Sequence, residues 1–277
     1  MYKMVAVDLD GTLLNDEKWI SEENLEFMGE LADKGYEIVI ATGRRYWSAK
    51  RLTKKIDRPL VILANNGNVV RETTTDKTII TKYLDLDDFK LLIREGKKKD
   101  LHPIVHVDNY DEGYDIIIEM NKDHENYHNY LRWAEKRYRE VNSYLELEDG
   151  NVLVVVYAGA KEDMEHFHLE LTKKYPQKYS SHVMENIQMS EALLEVMNPM
   201  GCKWLSLLEY AKMKGIDRSE IIAIGDDNND IQMIQNVGCG IAMKNATEGA
   251  KQVADIITEK DNNESGVAFE LKKVLGM

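Results

Sequence analysis

Three short apolar runs in this chain each end in a polar cluster. Met4-Val5-Ala6-Val7 leads into Asp8-Leu9-Asp10-Gly11-Thr12, Ile38-Val39-Ile40-Ala41 into Thr42-Gly43-Arg44, and Ile221-Ile222-Ala223-Ile224 into Gly225-Asp226-Asp227-Asn228-Asn229-Asp230. Runs that are apolar throughout, without alternation, read as strands buried on both faces. Amphipathic stretches lie between them, for example Leu25, Met28 and Leu31 after Ser21, closing before Gly35. That alternation predicts an α/β fold with a Rossmann-like, mostly parallel sheet. Such sheets bind ligands at the carboxyl ends of their strands, where the three clusters fall.

The clusters have their own chemistry. Asp8 and Asp10 are two apart, so in an extended chain their carboxylates share one side. Two anions that close repel unless a proton or a cation intervenes, and a hard divalent metal is the natural cation; a plain D-G turn is the alternative. In the last cluster Asn and Asp can cap the helix that Ile231, Met233 and Ile234 begin. Capping needs one or two of these residues, which leaves Asp226 or Asp227 for a metal shared with Asp8. Thr42-Gly43 can offer a hydroxyl and free N–H groups to a phosphate oxygen, or can be an ordinary turn. Lys203 opens an amphipathic stretch containing Trp204, Leu205, Leu207 and Leu208. A cation in a helix's first turn costs a few tenths of a kcal/mol unless an anion meets it there.

These segments, in this order, resemble the haloacid dehalogenase superfamily of phosphatases, in its Cof-like branch with an α/β cap inserted after the second motif. Asn66-Gly67, Ala242-Met243-Lys244-Asn245-Ala246 and Gly266-Val267-Ala268 extend the resemblance to nearly the whole chain. The approach to Lys203 is about a residue shorter than usual, and Trp204 stands where a small residue often follows.

The resemblance implies a role for each residue. Asp8 is the nucleophile, forming an aspartyl-phosphate. Asp10 is the general acid and then the base. Asp8, the Asp10 carbonyl and Asp226 hold Mg²⁺, while Thr42, Gly43, Lys203 and Asn229 hold the phosphoryl oxygens. Asp230 supports the metal site or orients Lys203, with Asp227, Arg44 and Asn66 as further supporting residues; Asn66 is either substrate lining or part of a turn. Mg²⁺ suits a ligand set made only of oxygen. All seven histidines lie between His102 and His182, away from these motifs, and a carboxylate mechanism needs none.

The implied activity is Mg²⁺-dependent hydrolysis of small phosphomonoesters, sugar phosphates or phosphorylated cofactors. A phosphomutase or phosphotransferase of the same family, or a catalytically silent metabolite-binding regulator, are the alternatives. The expected core spans 1–83 and 191–277, with an α/β cap at 84–190. In the cap, strands are expected at Ile104-Val105-His106-Val107, Tyr114–Ile118 and Val152–Val156, and helices near 86–98, 125–139 and 161–175. His124 and His128 share a helix face, solvated or packed before metal-binding. Tyr127, Tyr130, Trp133 and Tyr138 read as cap core or rim before a stacking platform. Arg132, Lys136, Arg137 and Arg139 could grip a second phosphate or form a solvated face.

Composition bounds the partners. The chain has 277 residues, 43% of them hydrophobic, a formal charge of −13 and two cysteines. An acidic chain argues against nucleic-acid binding. Two thiols indicate no disulfide framework, and no apolar stretch approaches the length of a membrane span. A cytoplasmic protein acting on a phosphorylated metabolite, with no membrane partner, is the expectation.

Overall fold

The structure, a computed structural model, describes residues 1–119, 136–148, 150–187 and 190–277. The chain divides into two compact units, Met1–Thr81 with Cys202–Met277, and Lys82–Gly201 between them in sequence.

The first unit begins β1 (Met4–Val7), α1 (Glu22–Asp33), β2 (Glu37–Ala41), α2 (Tyr46–Thr53), β3 (Val61–Ala64), β4 (Val69–Glu72) and β5 (Thr78–Thr81). The second contains α3 (Leu86–Lys97), β6 (Ile104–Val107), β7 (Ile116–Glu119), β8 (Tyr138–Val141), β9 (Val152–Gly159), α4 (Lys161–Lys174), β10 (Ser180–Ile187) and β11 (Ser190–Met197). The first then resumes with α5 (Lys203–Met213), β12 (Ile221–Gly225), α6 (Ile231–Asn236), β13 (Cys239–Ala242), α7 (Glu248–Val253), β14 (Ile256–Ile257) and α8 (Gly266–Leu275).

The core sheet runs β14-β13-β12-β1-β2-β3-β4-β5, parallel from β14 to β3 and antiparallel at β4 and β5. From β1 the chain builds outward through β2 and β3, then returns to build the other side from β12. The strand order therefore reverses at β1 and β12, and the crevice of an open α/β sheet lies at such a point. Met4, Ala6, Val39, Ala41, Ile221 and Ala223 pack with Trp204, Leu207, Tyr210 and Ala211 of α5 in one buried cluster. Trp204, which departs from the family pattern, is one of its members. Side chains alternate along a strand, so Asp8 continues the Met4–Ala6 side and faces the helix that begins at Lys203. Ser21 starts α1 by accepting a hydrogen bond from the Asn24 N–H, the capping geometry its sequence suggests.

The inserted α/β unit carries a separate mixed sheet, β10-β11-β9-β6-β7-β8, whose pairs are antiparallel except β7–β8. Helices α3 and α4 supply Phe89, Leu92, Ile93, Met164, Phe167 and Leu171 to a cluster with Val105, Val155, Tyr157 and Leu194. The unit spans Lys82–Gly201, and within it Ser190–Met197 pairs with β9 and β10. The helix expected over 125–139 lies mostly outside the described residues, as do His124, His128, Tyr127, Tyr130, Arg132 and Trp133. Its last residues are corrected: Tyr138 and Arg139 belong to β8 and pair with Ile116 and Ile117. Arg137 and Arg139 lie over the rings of Tyr110 and Tyr114. No helix among the described residues is long and apolar enough to cross a membrane.

Candidate active site

The end of β1 makes one further ladder contact, Asp8 N–H to the Ile224 carbonyl at 3.0 Å, and then turns. Gly11 takes φ +77° in that turn, a conformation side chains disfavour. It also has no room for one, since a Cβ there would sit 2.3 Å from Asp226 Oδ2. Thr12 donates its hydroxyl to Asp226 Oδ1 at 2.6 Å. The Gly-Thr pair after the first acids is therefore the seat of the distant Asp226 carboxylate. Asn245 donates to the Gly11 carbonyl at 2.8 Å and Asn262 to the Leu14 carbonyl at 3.1 Å, tying this turn to the C-terminal segments.

Lys203, in the first turn of α5, is 1% exposed. Its Nζ donates to Asp8 Oδ1 and Asp230 Oδ1, each at 2.7 Å. Two carboxylates answer the cation that the helix start alone disfavours. Burial would lower the lysine's pKa, but Asp230 and Asp8 outweigh it and hold the ammonium charged well above the usual range. Asp230 is fully buried, and its Oδ2 accepts the N–H groups of Asp226 and Asp227 at 3.1 and 3.2 Å. Gly225 makes room for it, since a Cβ there would lie 2.4 Å from Asp230 Cγ. Asp227 is an exposed cap, taking the Asn228 N–H at 2.7 Å within a capping box with Asp230. Capping thus uses Asp227 and Asp230, and Asp226 is left over.

Asp8, Asp226 and Asp230 each offer an oxygen within 4.8 Å of the others. Burial pushes the Asp226 carboxyl up to about 7, against the Thr12 hydrogen bond, with Asp230 and Asp227 adding to the rise. Burial, joined by Asp230 and Asp226, also raises Asp8 well above the carboxylate range, although Lys203 opposes it. Two carboxylates whose burial resists ionisation, with the Asp230 oxygen beside them and only oxygen donors in the cluster, fit a hard divalent cation such as the Mg²⁺ of haloacid dehalogenase-type sites.

The third acid of this cluster is Asp230, because the Asp10 carboxylate is engaged elsewhere. Arg44 grips it bidentately, Nε to Oδ2 at 2.6 Å and Nη2 to Oδ1 at 2.7 Å, and Lys18 Nζ reaches Oδ1 at 2.9 Å. Burial would raise the Asp10 pKa, but these two cations bring it below the usual range. Thr42 is buried, and its Oγ1 accepts the Arg44 N–H at 3.1 Å beside Gly43. The Asn65-Asn66-Gly67 turn follows β3, and Asn229 Nδ2 donates to Asn66 Oδ1 at 3.0 Å. Thr12, Lys18 and Asn245 had no role assigned from sequence. Thr12 was legible, standing directly after Asp10-Gly11, and Asn245 lies in a segment that carries the family resemblance; Lys18 carries no local signal.

A buried lysine between acids from opposite ends of the chain thus lies at the reversal point of a parallel sheet, where α/β enzymes carry their ligands. The chain belongs to the haloacid dehalogenase-like hydrolase family, whose sequence profile matches residues 5–271, and it is a phosphatase of that family. It is 29% identical to the 5-amino-6-(5-phospho-D-ribitylamino)uracil phosphatase YcsE of Bacillus subtilis, over 98% of this chain and 94% of that one. It is 27% identical to YitU of the same organism, which bears the same enzyme name, over 99% and 98% of the two chains. A haloacid dehalogenase-like hydrolase from Bacteroides thetaiotaomicron superposes with a TM-score of 0.83 at 27% identity, covering 99% of this chain and 100% of that one.

Proposed function

We propose that this phosphatase hydrolyses small phosphomonoesters, sugar and polyol phosphates foremost, by passing the phosphoryl group through Asp8. The observation that carries the reading is the buried Lys203 ammonium held between Asp8 and Asp230. It removes charge repulsion from an acid about to meet an anionic ester and leaves Asp8 Oδ2 to attack phosphorus. Asp8, Asp226 and Asp230, with the Asp10 main-chain carbonyl, would hold Mg²⁺, which when bound supplies the positive charge that offsets the carboxylates and the transferring group.

Thr42, the Gly43 N–H, Asn229 and Lys203 hold the phosphoryl oxygens. Asp8 forms the new P–O bond as the ester P–O bond breaks. Asp10, which Arg44 and Lys18 keep ionised, must first leave that grip and take up a proton from solvent, and then delivers it to the departing oxygen. Asp10 then takes a proton from water, whose oxygen attacks phosphorus and releases orthophosphate and the Asp8 carboxylate. The relatives named for a phosphoribitylamino-uracil substrate support a phosphate carried on a short polyhydroxylated chain. Cys202 and Cys239, neither of them in a disulfide, suit a reducing compartment such as the cytoplasm.

The test is orthophosphate release from 5-amino-6-(5-phospho-D-ribitylamino)uracil, hexose 6-phosphates, flavin mononucleotide and pyridoxal phosphate, with Mg²⁺ and with chelator. Release should require the metal and fall at least about a thousandfold in Asp8→Asn. Wild-type turnover in Asp8→Asn would remove Asp8 as nucleophile. An isomerised sugar phosphate in place of orthophosphate would make the enzyme a phosphomutase.

A further inference from the structure

We propose that Asn66 is a positioning residue: its side-chain carbonyl sets the direction in which the Asn229 amide faces the substrate's phosphoryl group. The inference rests on the reading of Asn229 as a phosphoryl ligand.

Asn65, Asn66 and Gly67 take φ of 49°, 56° and 85°, three consecutive left-handed residues at the carboxyl end of β3. For a side chain other than glycine that conformation costs about 1 kcal/mol or more, and asparagine tolerates it best. Both asparagines are buried nonetheless. The turn is fastened on every side. The Asn65 and Asn66 N–H groups donate to the Arg44 and Thr42 carbonyls, each at 2.9 Å, so the turn is stapled to the Thr42-Gly43-Arg44 segment. Gly67 lies against the start of α5: a Cβ there would meet the Cys202 carbonyl and Ser206 Cβ at 2.9 Å, and Ser206 donates to the Gly67 carbonyl at 2.7 Å. The turn therefore touches the segment carrying Thr42 and Gly43 and the helix carrying Lys203.

It reaches the third phosphate-binding segment through Asn66 Oδ1, which accepts from Asn229 Nδ2 at 3.0 Å. An amide is planar, so a hydrogen bond to one N–H fixes the directions of the second N–H and of the oxygen. Turned by half a rotation, the Asn229 amide would set its oxygen against the oxygen of Asn66. Without Asn66, Asn229 could present either its donor or its repulsive acceptor to a phosphoryl oxygen.

Asn66→Gly separates positioning from structure, because glycine adopts the left-handed turn freely and loses only the side chain. The melting temperature should hold within a degree or two while kcat/KM falls roughly ten- to a hundredfold. In an Asn229→Ala background the same change should cost no further activity. The Asn229 side-chain amide, followed by ¹⁵N relaxation, should be rigid in the wild-type protein and mobile in Asn66→Gly. Unchanged kcat/KM in Asn66→Gly, with the wild type active, overturns this inference and leaves the proposed function standing. A wild type that releases no orthophosphate overturns the function instead. The relaxation data then decide the positioning alone: equal rigidity in both proteins refutes it, and loss of rigidity upholds it.

Discussion

Lys203 sits between Asp8 and Asp230 with almost no solvent to replace it. Removing one partner of a buried ion pair costs about 3–5 kcal/mol, because the remaining charges keep their desolvation penalty. Lys203→Met should therefore lower stability by that amount in chelator, and Mg²⁺ should recover part of it; chemical denaturation with and without the metal measures both. Gly11→Ala combines a left-handed backbone with a Cβ aimed at Asp226. We expect a loss of about 2 kcal/mol and weaker metal binding by calorimetry, because the methyl group displaces a carboxylate of the cluster. Asp8, Asp226, Thr42 and Lys203 were legible as residues because each stands at a change of pattern, apolar run to polar cluster or polar turn to helix. The partner each chooses was not. Nothing local told Asp10 to face Arg44 and Lys18, because that choice is made between separate segments brought together by the fold, and the facing of Asp230 to Lys203 was legible only through the family resemblance.

Helix α5 shows how an element can matter more than its own stability. Its apolar side docks on the core sheet, and that docking carries Lys203 to the end of β1. In the inserted unit, α3 is tied to the end of α4 by Glu95, which accepts from Lys98 at 2.8 Å, Lys174 at 3.0 Å and Tyr175 at 3.2 Å. The Lys98 hydrogen bond, with Lys174, outweighs burial and takes the Glu95 carboxyl from 4.5 down to about 2. A folded-state value below the unfolded one means that the stabilisation is complete above pH 4.5 and disappears as the pH falls toward 2. The lysines are half exposed, so screening holds the gain to about 1 kcal/mol. Glu95→Gln should be less stable than wild type by that amount at neutral pH, and urea titrations should show the gap closing below pH 4.5. The boundaries of α1 were readable from Ser21, Gly35 and the apolar spacing between them, and α3 was expected near where it lies. The strand at Tyr138 was not, because Tyr138–Val141 has no strong period of its own and becomes a strand by pairing with β7.

The carboxylates, the lysine and the Asn66–Asn229 bridge all lie in Met1–Thr81 and Cys202–Met277. Metal binding should stabilise that unit by about 2.7 kcal/mol at a hundredfold excess over Kd. Hydrogen exchange should show new Mg²⁺-dependent protection around residues 8–14 and 225–231 and none in β6 or β9. Protection appearing only in the inserted unit would refute the metal assignment. Composition and pattern alone settled the α/β class, the presence of a long insertion and the motifs that mark the family, because apolar periodicity and acid-rich strand ends are properties of neighbours in the chain. The tertiary fold decided which carboxylates share a cation, which one Arg44 withholds, and where the insertion ends. Each of those depends on strand pairing and helix docking between distant segments: β1 must lie beside β12, and α5 across both, before Asp8, Asp226, Asp230 and Lys203 feel one another's charge.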